Sequence, residues 1–190
     1  HGSSVFAKEP KDEKFISWHQ DGHYMQLQSF EYVSAWIALS NSNAANGCMR
    51  VVKETQNTLL PHIDVPHEDN MLGSGLTLNA EIDSSKVVDV ELNAGEMSLH
   101  HVNLVHGSNP NNSDHRRIGV AVRYVSAAFT QELAHHEVIV AAGKYEENHF
   151  EVLQSPPKGS WEESIVKQKI GHAQYRQKRE EAERKLSEKT

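Results

Sequence analysis

Two histidines and one aspartate in this sequence have the residue types and the spacing to hold a metal ion. His19 and Asp21 lie two residues apart in the stretch FISWHQDGHYMQL. Because alternate residues of a β-strand point to the same face, a strand here would direct the imidazole and the carboxylate to one point. His106, at the end of the apolar strand predicted in NLVHGSNP, is the best candidate for a third ligand from another strand. We therefore predict a metal centre formed by His19, Asp21 and His106.

This donor set favours a particular metal chemistry. Two imidazoles and one carboxylate form the facial arrangement typical of non-haem Fe(II) oxygenases, which leaves three adjacent coordination positions open. Those positions are needed for a chelating cosubstrate and for O₂. Because Asp21 neutralises only one of the two charges of Fe(II), the site also favours an anionic cosubstrate.

An anionic cosubstrate needs a cation inside the fold, and Arg117 is the candidate. It heads the stretch RIGVAVRYV and shares a strand face with the small residues Gly119 and Ala121, which leave space beside the guanidinium. The planar fork of arginine binds a carboxylate through two parallel hydrogen bonds. Ser108 lies on the same face as the third candidate ligand, and its hydroxyl group can form a further hydrogen bond to that carboxylate. Arg123 shares the parity of Arg117 but lies farther along the strand, and we rank it lower.

The elements that must position these residues are short strands. Residues 1–130 contain short apolar runs between turn signals, which indicate a barrel or a sandwich. The predicted strands lie in EYVSAWIALS, CMRVV, KVVDVEL, EMSLHHVNLVHGS and RRIGVAVRYVS. Residues 53–85 are polar and lack a sustained period, so we predict a long loop there. Residues 161–190 lack proline and carry Glu–Arg and Glu–Lys pairs four apart, which predicts a solvated C-terminal helix of the same domain as residues 1–160.

The bulk composition limits what the chain can be. Its 190 residues suffice for one domain with a substantial core. The formal net charge of −7 argues against a nucleic-acid partner, and no apolar run approaches the ~18 residues of a membrane span. The single cysteine, Cys48, excludes an internal disulfide and is most simply a small buried apolar residue, so we expect a cytoplasmic protein. The sequence gives no indication of the oligomeric state.

The ordered set WHQD, AWIAL, NGCMRVV and HHVNLVHGSNPNNSDHRRIGVAVRY resembles the phytanoyl-CoA dioxygenase family of Fe(II)- and 2-oxoglutarate-dependent oxygenases. The resemblance covers roughly residues 5–155, and its most specific part is the joint spacing of the ligands and the arginine. It implies a mainly β fold with flanking helices, a double-stranded β-helix (jelly-roll, cupin-like) barrel. It also implies Fe(II), 2-oxoglutarate and O₂, a small-molecule substrate, and hydroxylation of an unactivated C–H bond of a small metabolite or acyl compound with release of succinate and CO₂.

The resemblance assigns roles to the residues already singled out. It implies that His19, Asp21 and His106 hold the iron and that Arg117 and Ser108 bind the distal carboxylate of 2-oxoglutarate. Halogenating relatives replace the carboxylate ligand with a small residue, so Asp21 favours hydroxylation.

Three further positions are assigned by the resemblance alone. Lys8, in FAKEP, matches a lysine that contacts the cosubstrate in some members, and Trp36 matches a tryptophan that lines the same pocket. Gln20 occupies the variable position between the first two ligands. Many relatives have a Pro-Gly-Ser/Thr-His turn after NGC, and this chain lacks that turn. The family also has helices before the barrel, and these helices are absent from the 190 residues. We therefore expect the natural N-terminus to lie upstream.

Plainer interpretations apply to several other side chains. His100 and His101 alternate in a strand, so at most one faces inward, and a structural role is expected for it. His62 and His67 lie in the predicted loop and are expected to be solvated.

Two other functions are consistent with the same ligands. The first is a non-catalytic barrel that binds a metal or metabolite. The second is a zinc hydrolase using two histidines, an aspartate and a bound water. A hydrolase would leave Arg117 without a task, and no separate general base is suitably placed.

Overall fold

The computed structural model of the chain describes residues 2–25, 31–127, 137–145, 150–153, 159–166 and 169–170. The chain divides into two compact units, His1–Phe129 and Thr130–Thr190. The strands of the first unit are β1 (Gly2–Lys8), β2 (Ile16–His19), β3 (Tyr32–Ala38), β4 (Met49–Val52), β5 (His62–Asp64), β6 (Leu76–Leu78), β7 (Val87–Val90), β8 (Met97–His101), β9 (His106–Ser108) and β10 (Arg117–Val125). This unit also contains a short helix, α1 (Asp21–Met25), and two 3₁₀ turns, Ala44–Asn46 and Ser84–Lys86.

Eight strands of the first unit form two four-stranded antiparallel sheets within the described residues. Their orders are β1-β10-β3-β8 and β2-β9-β4-β7. The chain passes repeatedly from one sheet to the other, so that early strands pair with late ones. This winding is a double-stranded β-helix, and the predicted fold class is confirmed.

The core lies between the two sheets. Trp36, Ala38 and Ala121 come from the first sheet and pack against Met49 from the second. The positions within each strand share a face because strand side chains alternate. Burial of an apolar side chain the size of Met49 stabilises the fold by about 1.5–3 kcal/mol.

The stretch EMSLHHVNLVHGS is two strands, so the prediction of one continuous strand was wrong. β8 ends at His101, a turn follows in which the Leu104 N–H donates to the His101 carbonyl at 2.9 Å, and β9 begins at His106. The two strands belong to different sheets. Val102 and Val105, both fully buried, occupy the crossing, and their apolar character hid the break from pattern analysis. His106 therefore starts a strand instead of ending one.

Residues 53–85 contain more structure than the predicted loop. β5 and β6 form an antiparallel two-stranded sheet, and Leu76 at the start of β6 is buried. The Ser17 hydroxyl of β2 donates to the Leu76 carbonyl at 2.5 Å, which attaches this small sheet to the barrel. Strands of three residues are too short to give a recognisable alternation, and this explains the incorrect prediction.

The second unit is described only in part. β11 (Glu137–Val138) and β12 (Glu151–Val152) pair in parallel. Residues 161–166 and 169–170 are helical, and the rest of the predicted 161–190 helix lies outside the described residues. The division into a 1–160 core and a C-terminal helix stays a prediction. Within the described ranges, no helix combines the length and the apolar character needed to cross a membrane.

Candidate metal centre

The three predicted ligands lie together in the first unit. One potential ligand atom from each of His19, Asp21 and His106 lies within 4.8 Å of the others, and all three atoms belong to buried groups. His19 ends β2 and His106 begins β9, and the two are direct register partners, with ring centroids 4.2 Å apart. The expectation that one strand carries both His19 and Asp21 was wrong. The strand ends at His19, and Asp21 is the first residue of α1.

The ring orientation of both histidines fits metal binding. His19 Nδ1 lies 2.9 Å from the Ser17 carbonyl oxygen, and His106 Nδ1 lies 2.9 Å from that of Leu104. When Nδ1–H donates to a carbonyl, the lone pair of the neutral ring is at Nε2, which is then available to a metal. His19 Nε2 lies 3.5 Å from Asp21 Oδ1. This nitrogen thus faces the carboxylate, as a shared ligand site requires.

The protonation states of the group also fit a divalent cation. Burial, and next the neighbouring His19, lower the pKa of His106 to about 3, so its imidazole is neutral at neutral pH. Burial alone would raise the pKa of Asp21, but its neighbour His19, and next His106 and Arg123, hold it well below its usual value. Neutral imidazoles and an ionised carboxylate are the forms that bind metals.

A second cluster consists of two buried cations and a hydroxyl. Lys8 and Arg117 are register partners on β1 and β10, and their exposed fractions are 0% and 2%. The Lys8 ammonium donates to Ser108 Oγ at 2.7 Å and to the Asn109 carbonyl. Arg117 Nη2 donates to the Gly47 carbonyl at 2.6 Å. The structure thus brings together three of the residues predicted to bind the cosubstrate.

The two cations have no directly bonded acidic side chain among the described residues, although the charge of Asp12 acts to raise the pKa of Lys8. No carboxylate among the described residues forms an ion pair with Lys8 or Arg117, and the buried Arg117 Nε has no hydrogen-bond partner there. Burial and, second, the Arg117 charge lower the pKa of Lys8 to about 7, and burial lowers the pKa of Arg117 to about 10. Two buried like charges with an unused donor can be stabilised by an anion.

Trp36 forms a wall of this cluster. The Arg117 guanidinium carbon lies 5.5 Å from the centroid of the Trp36 ring, an arrangement that favours the cation electrostatically. The indole fits because residue 119 is glycine. A Cβ atom there would lie 2.1 Å from Trp36 Cζ2. The predicted space beside the arginine is thus filled by the indole.

Gln20 does not join either cluster. Its side-chain nitrogen donates to the carbonyls of Asn103 at 2.5 Å and Thr58 at 2.8 Å, and its side-chain oxygen accepts from the Leu60 N–H at 2.8 Å. The fully buried carboxamide thereby ties residues 55–60 to the segment that carries the ligands.

Two further histidines, His100 and His62, lie close to the residues of the metal centre. His100 is buried, with its ring centroid 5.0 Å from that of His106, so the expectation that one member of the His100–His101 pair faces inward is confirmed. His62 is half-buried, accepts a hydrogen bond from the Gln20 N–H at 3.1 Å and stacks on His23. The expectation of a solvated His62 was wrong because the β5–β6 sheet folds this part of the chain against the barrel.

Two residues lie beside Asp21 that were not predicted to contact it. Arg123 Nε lies 3.9 Å from Asp21 Oδ2, and Ser34 Oγ lies 3.5 Å from the same oxygen. The only sequence signal was the shared parity of Arg117 and Arg123, which indicated the face of β10 but not the partner.

Comparisons with known proteins agree with this geometry. The family model described as phytanoyl-CoA dioxygenase matches residues 1–119. A probable phytanoyl-CoA dioxygenase of Caenorhabditis elegans is 28% identical over 155 residues, which cover 74% of this chain and 49% of the relative. The chain spans about half the length of the curated relatives it matches.

Solved structures share the fold. The non-heme monooxygenase ThoJ aligns with a TM-score of 0.72 over 94% of this chain and 67% of its own, at 22% identity. EvdO2 from Micromonospora carbonacea var. aurantiaca, solved in complex with 2-oxoglutarate, aligns with a TM-score of 0.57 over 68% of this chain and 52% of its own, also at 22% identity. At this identity the likeness establishes the architecture alone.

Proposed function

The chain belongs to the phytanoyl-CoA dioxygenase family, and from this premise we propose that it is an Fe(II)- and 2-oxoglutarate-dependent oxygenase. The proposed reaction is hydroxylation of an unactivated C–H bond of a small metabolite or acyl compound, with release of succinate and CO₂. The observation that carries the proposal is that one β-barrel contains both a buried His–Asp–His cluster and a buried cation pair that forms no ion pair with a described carboxylate.

In this proposal His19, Asp21 and His106 hold the iron. Bound iron supplies the activation of O₂ that oxidises the substrate while 2-oxoglutarate is converted into succinate and CO₂. The backbone carbonyls of Ser17 and Leu104 fix the two rings so that each presents Nε2. Asp21 remains ionised because its neighbours His19, His106 and Arg123 lower its pKa.

The distal carboxylate of 2-oxoglutarate binds to Arg117, Lys8 and Ser108 in the same proposal. The unused Arg117 Nε–H and the Lys8 ammonium supply charge-assisted hydrogen bonds, and Ser108 already lies within 2.7 Å of the ammonium. Trp36 covers the guanidinium and limits its contact with water. The anion in turn neutralises part of the charge buried at this point of the barrel.

Succinate release tests the proposal. The purified protein is incubated with Fe(II), 2-oxoglutarate, O₂ and a panel of small metabolites and acyl compounds, and succinate is quantified. Arg117→Ala removes charge-assisted hydrogen bonds worth about 1.5–3 kcal/mol each, so we expect at least a tenfold loss of succinate formation with Fe(II) affinity largely unchanged. Arg116→Ala is the matched control, because Arg116 is exposed and pairs with Glu9 at the surface.

Two results would contradict parts of this proposal, the first the catalytic activity and the second the cosubstrate site. If Fe(II) and 2-oxoglutarate bind but no member of the panel stimulates succinate release, a non-catalytic barrel is favoured. If Arg117→Ala behaves like Arg116→Ala, the cation cluster is not the cosubstrate site.

A further inference from the structure

We infer that Arg123 and Ser34 are positioning residues that hold one oxygen of Asp21 away from the metal, so that Asp21 binds through the other oxygen alone. The inference rests on the proposed function, because it takes the His–Asp–His cluster to be a metal site. Arg123 and Ser34 are neither metal ligands nor members of the cation pair formed by Lys8 and Arg117.

The two oxygens of Asp21 have different surroundings. Oδ1 lies 3.5 Å from Nε2 of the ligand His19. Oδ2 lies 3.5 Å from Ser34 Oγ and 3.9 Å from Arg123 Nε. One oxygen therefore faces the ligand cluster, and the other faces a hydroxyl and a guanidinium.

The sheet fixes the partners of Oδ2. Arg123 on β10 and Ser34 on β3 are register partners, and Arg123 Nη1 donates to Ser4 Oγ on β1 at 3.0 Å. The guanidinium thus contacts two elements besides its own strand: β1, through Ser4, and α1, through Asp21. Because its side chain is only 19% exposed, solvent weakens this attraction less than it would at the surface.

Binding through a single oxygen matters for this ligand set. A carboxylate can bind a cation through one oxygen or through both, and two-oxygen binding would fill one of the three positions that the cosubstrate and O₂ need. Attraction of Oδ2 by Arg123 opposes that second bond. Arg123 would thus keep the coordination site open without touching the metal or the cosubstrate.

The experiment uses Co(II) as the probe, under anaerobic conditions, in the wild-type protein and in Arg123→Gln, Arg123→Lys and Ser34→Ala. Arg116→Gln, on the exposed side of the chain beside β10, is the control. The visible spectrum and X-ray absorption of bound Co(II) report its coordination, and titration gives the affinities for Co(II) and 2-oxoglutarate. Thermal unfolding establishes that each variant is folded.

We expect Arg123→Gln to show an altered Co(II) spectrum, with carboxylate binding through two oxygens, and to bind 2-oxoglutarate more than twofold more weakly, because one coordination position is then filled. Arg123→Lys should restore part of the wild-type spectrum, because an ammonium can also attract Oδ2. A destabilised fold alone would not give this spectral change and its rescue. If Arg123→Gln does not fold, Ser34→Ala, which removes one hydroxyl, must show a smaller change of the same kind.

If every variant shows the wild-type Co(II) spectrum and binds 2-oxoglutarate with an affinity within twofold of that of the wild-type protein, the inference is overturned. That result is distinct from failure of the proposed function, in which the wild-type protein itself would not bind one Co(II) at His19, Asp21 and His106.

Discussion

Lys8 is a buried side chain whose charge should depend on pH near neutrality. Burial and the neighbouring Arg117 lower its pKa to about 7, so the unliganded protein holds a mixture of ammonium and amine at neutral pH. A carboxylate bound beside it favours the ammonium. The affinity for 2-oxoglutarate should therefore be highest below pH 7 and fall as the pH rises above 7, by at most about tenfold per pH unit.

Calorimetric titration of 2-oxoglutarate into the metal-loaded protein between pH 6 and 9, without O₂, measures this dependence. Lys8→Gln should bind more weakly and lose most of the slope, whereas Lys11→Gln, at an exposed lysine, should behave like the wild type. Parallel pH profiles for Lys8→Gln and the wild type would show that Lys8 does not titrate at this site.

Individual residues differed in how far their sequence positions revealed their contacts. His19 and His106 meet because they are register partners, and Arg117 meets Lys8 for the same reason. Strand order and alternation suffice to predict such neighbours. The contact of Arg123 with Asp21 depends on where the chain places α1 after β2 ends, which no spacing in the sequence encodes.

At the scale of elements, Gln20 joins the β5–β6 region to the ligand strands. Its carboxamide makes hydrogen bonds to Thr58, Leu60 and Asn103. Each such bond contributes about 0.5–1.5 kcal/mol. Gln20→Ala should therefore leave residues 55–60 less protected from amide hydrogen exchange and lower the free energy of unfolding by about 1–3 kcal/mol.

Hydrogen-exchange mass spectrometry of the peptides that cover residues 55–64 measures the effect. Thr58→Ala is the control, since Gln20 binds the backbone carbonyl of Thr58 and that carbonyl is retained. Equal protection in Gln20→Ala and Thr58→Ala would contradict this role of the glutamine.

Long two-faced strands were the elements most open to prediction. β3 and β10 have seven and nine residues, and β10 alternates buried and half-buried positions because one of its faces lies on the core. β5, β6 and β9 are harder to predict because each has only three residues. The apolar residues Val102 and Val105 between β8 and β9 made these two strands look like one continuous strand in the sequence. Their boundaries follow from long-range pairing and so appear only in the folded chain.

At the scale of the whole molecule, the charge of the interior differs from that of the chain. The formal net charge is −7, yet Lys8 and Arg117 lie buried between the sheets without an acidic partner among the described residues. Net charge therefore does not argue against an anionic cosubstrate. The absence of a nucleic-acid partner and a cytoplasmic location stay predictions.

The double-stranded β-helix brings distant segments together at both clusters. β1 pairs with β10 at the cation pair, and β2 pairs with β9 at the histidines. Each cluster thus combines an early strand with a late one. The central claim is that these clusters act together, one holding iron and the other holding the far end of 2-oxoglutarate.

Anaerobic addition of 2-oxoglutarate to the Fe(II)-loaded protein tests whether the two clusters act together. Chelation of Fe(II) by the 2-oxo acid gives a weak visible charge-transfer absorption. The wild-type protein should develop this band with one equivalent of iron, and His106→Ala should lose it. A wild-type protein that binds both iron and 2-oxoglutarate without the band, or an undiminished band in His106→Ala, would contradict the account.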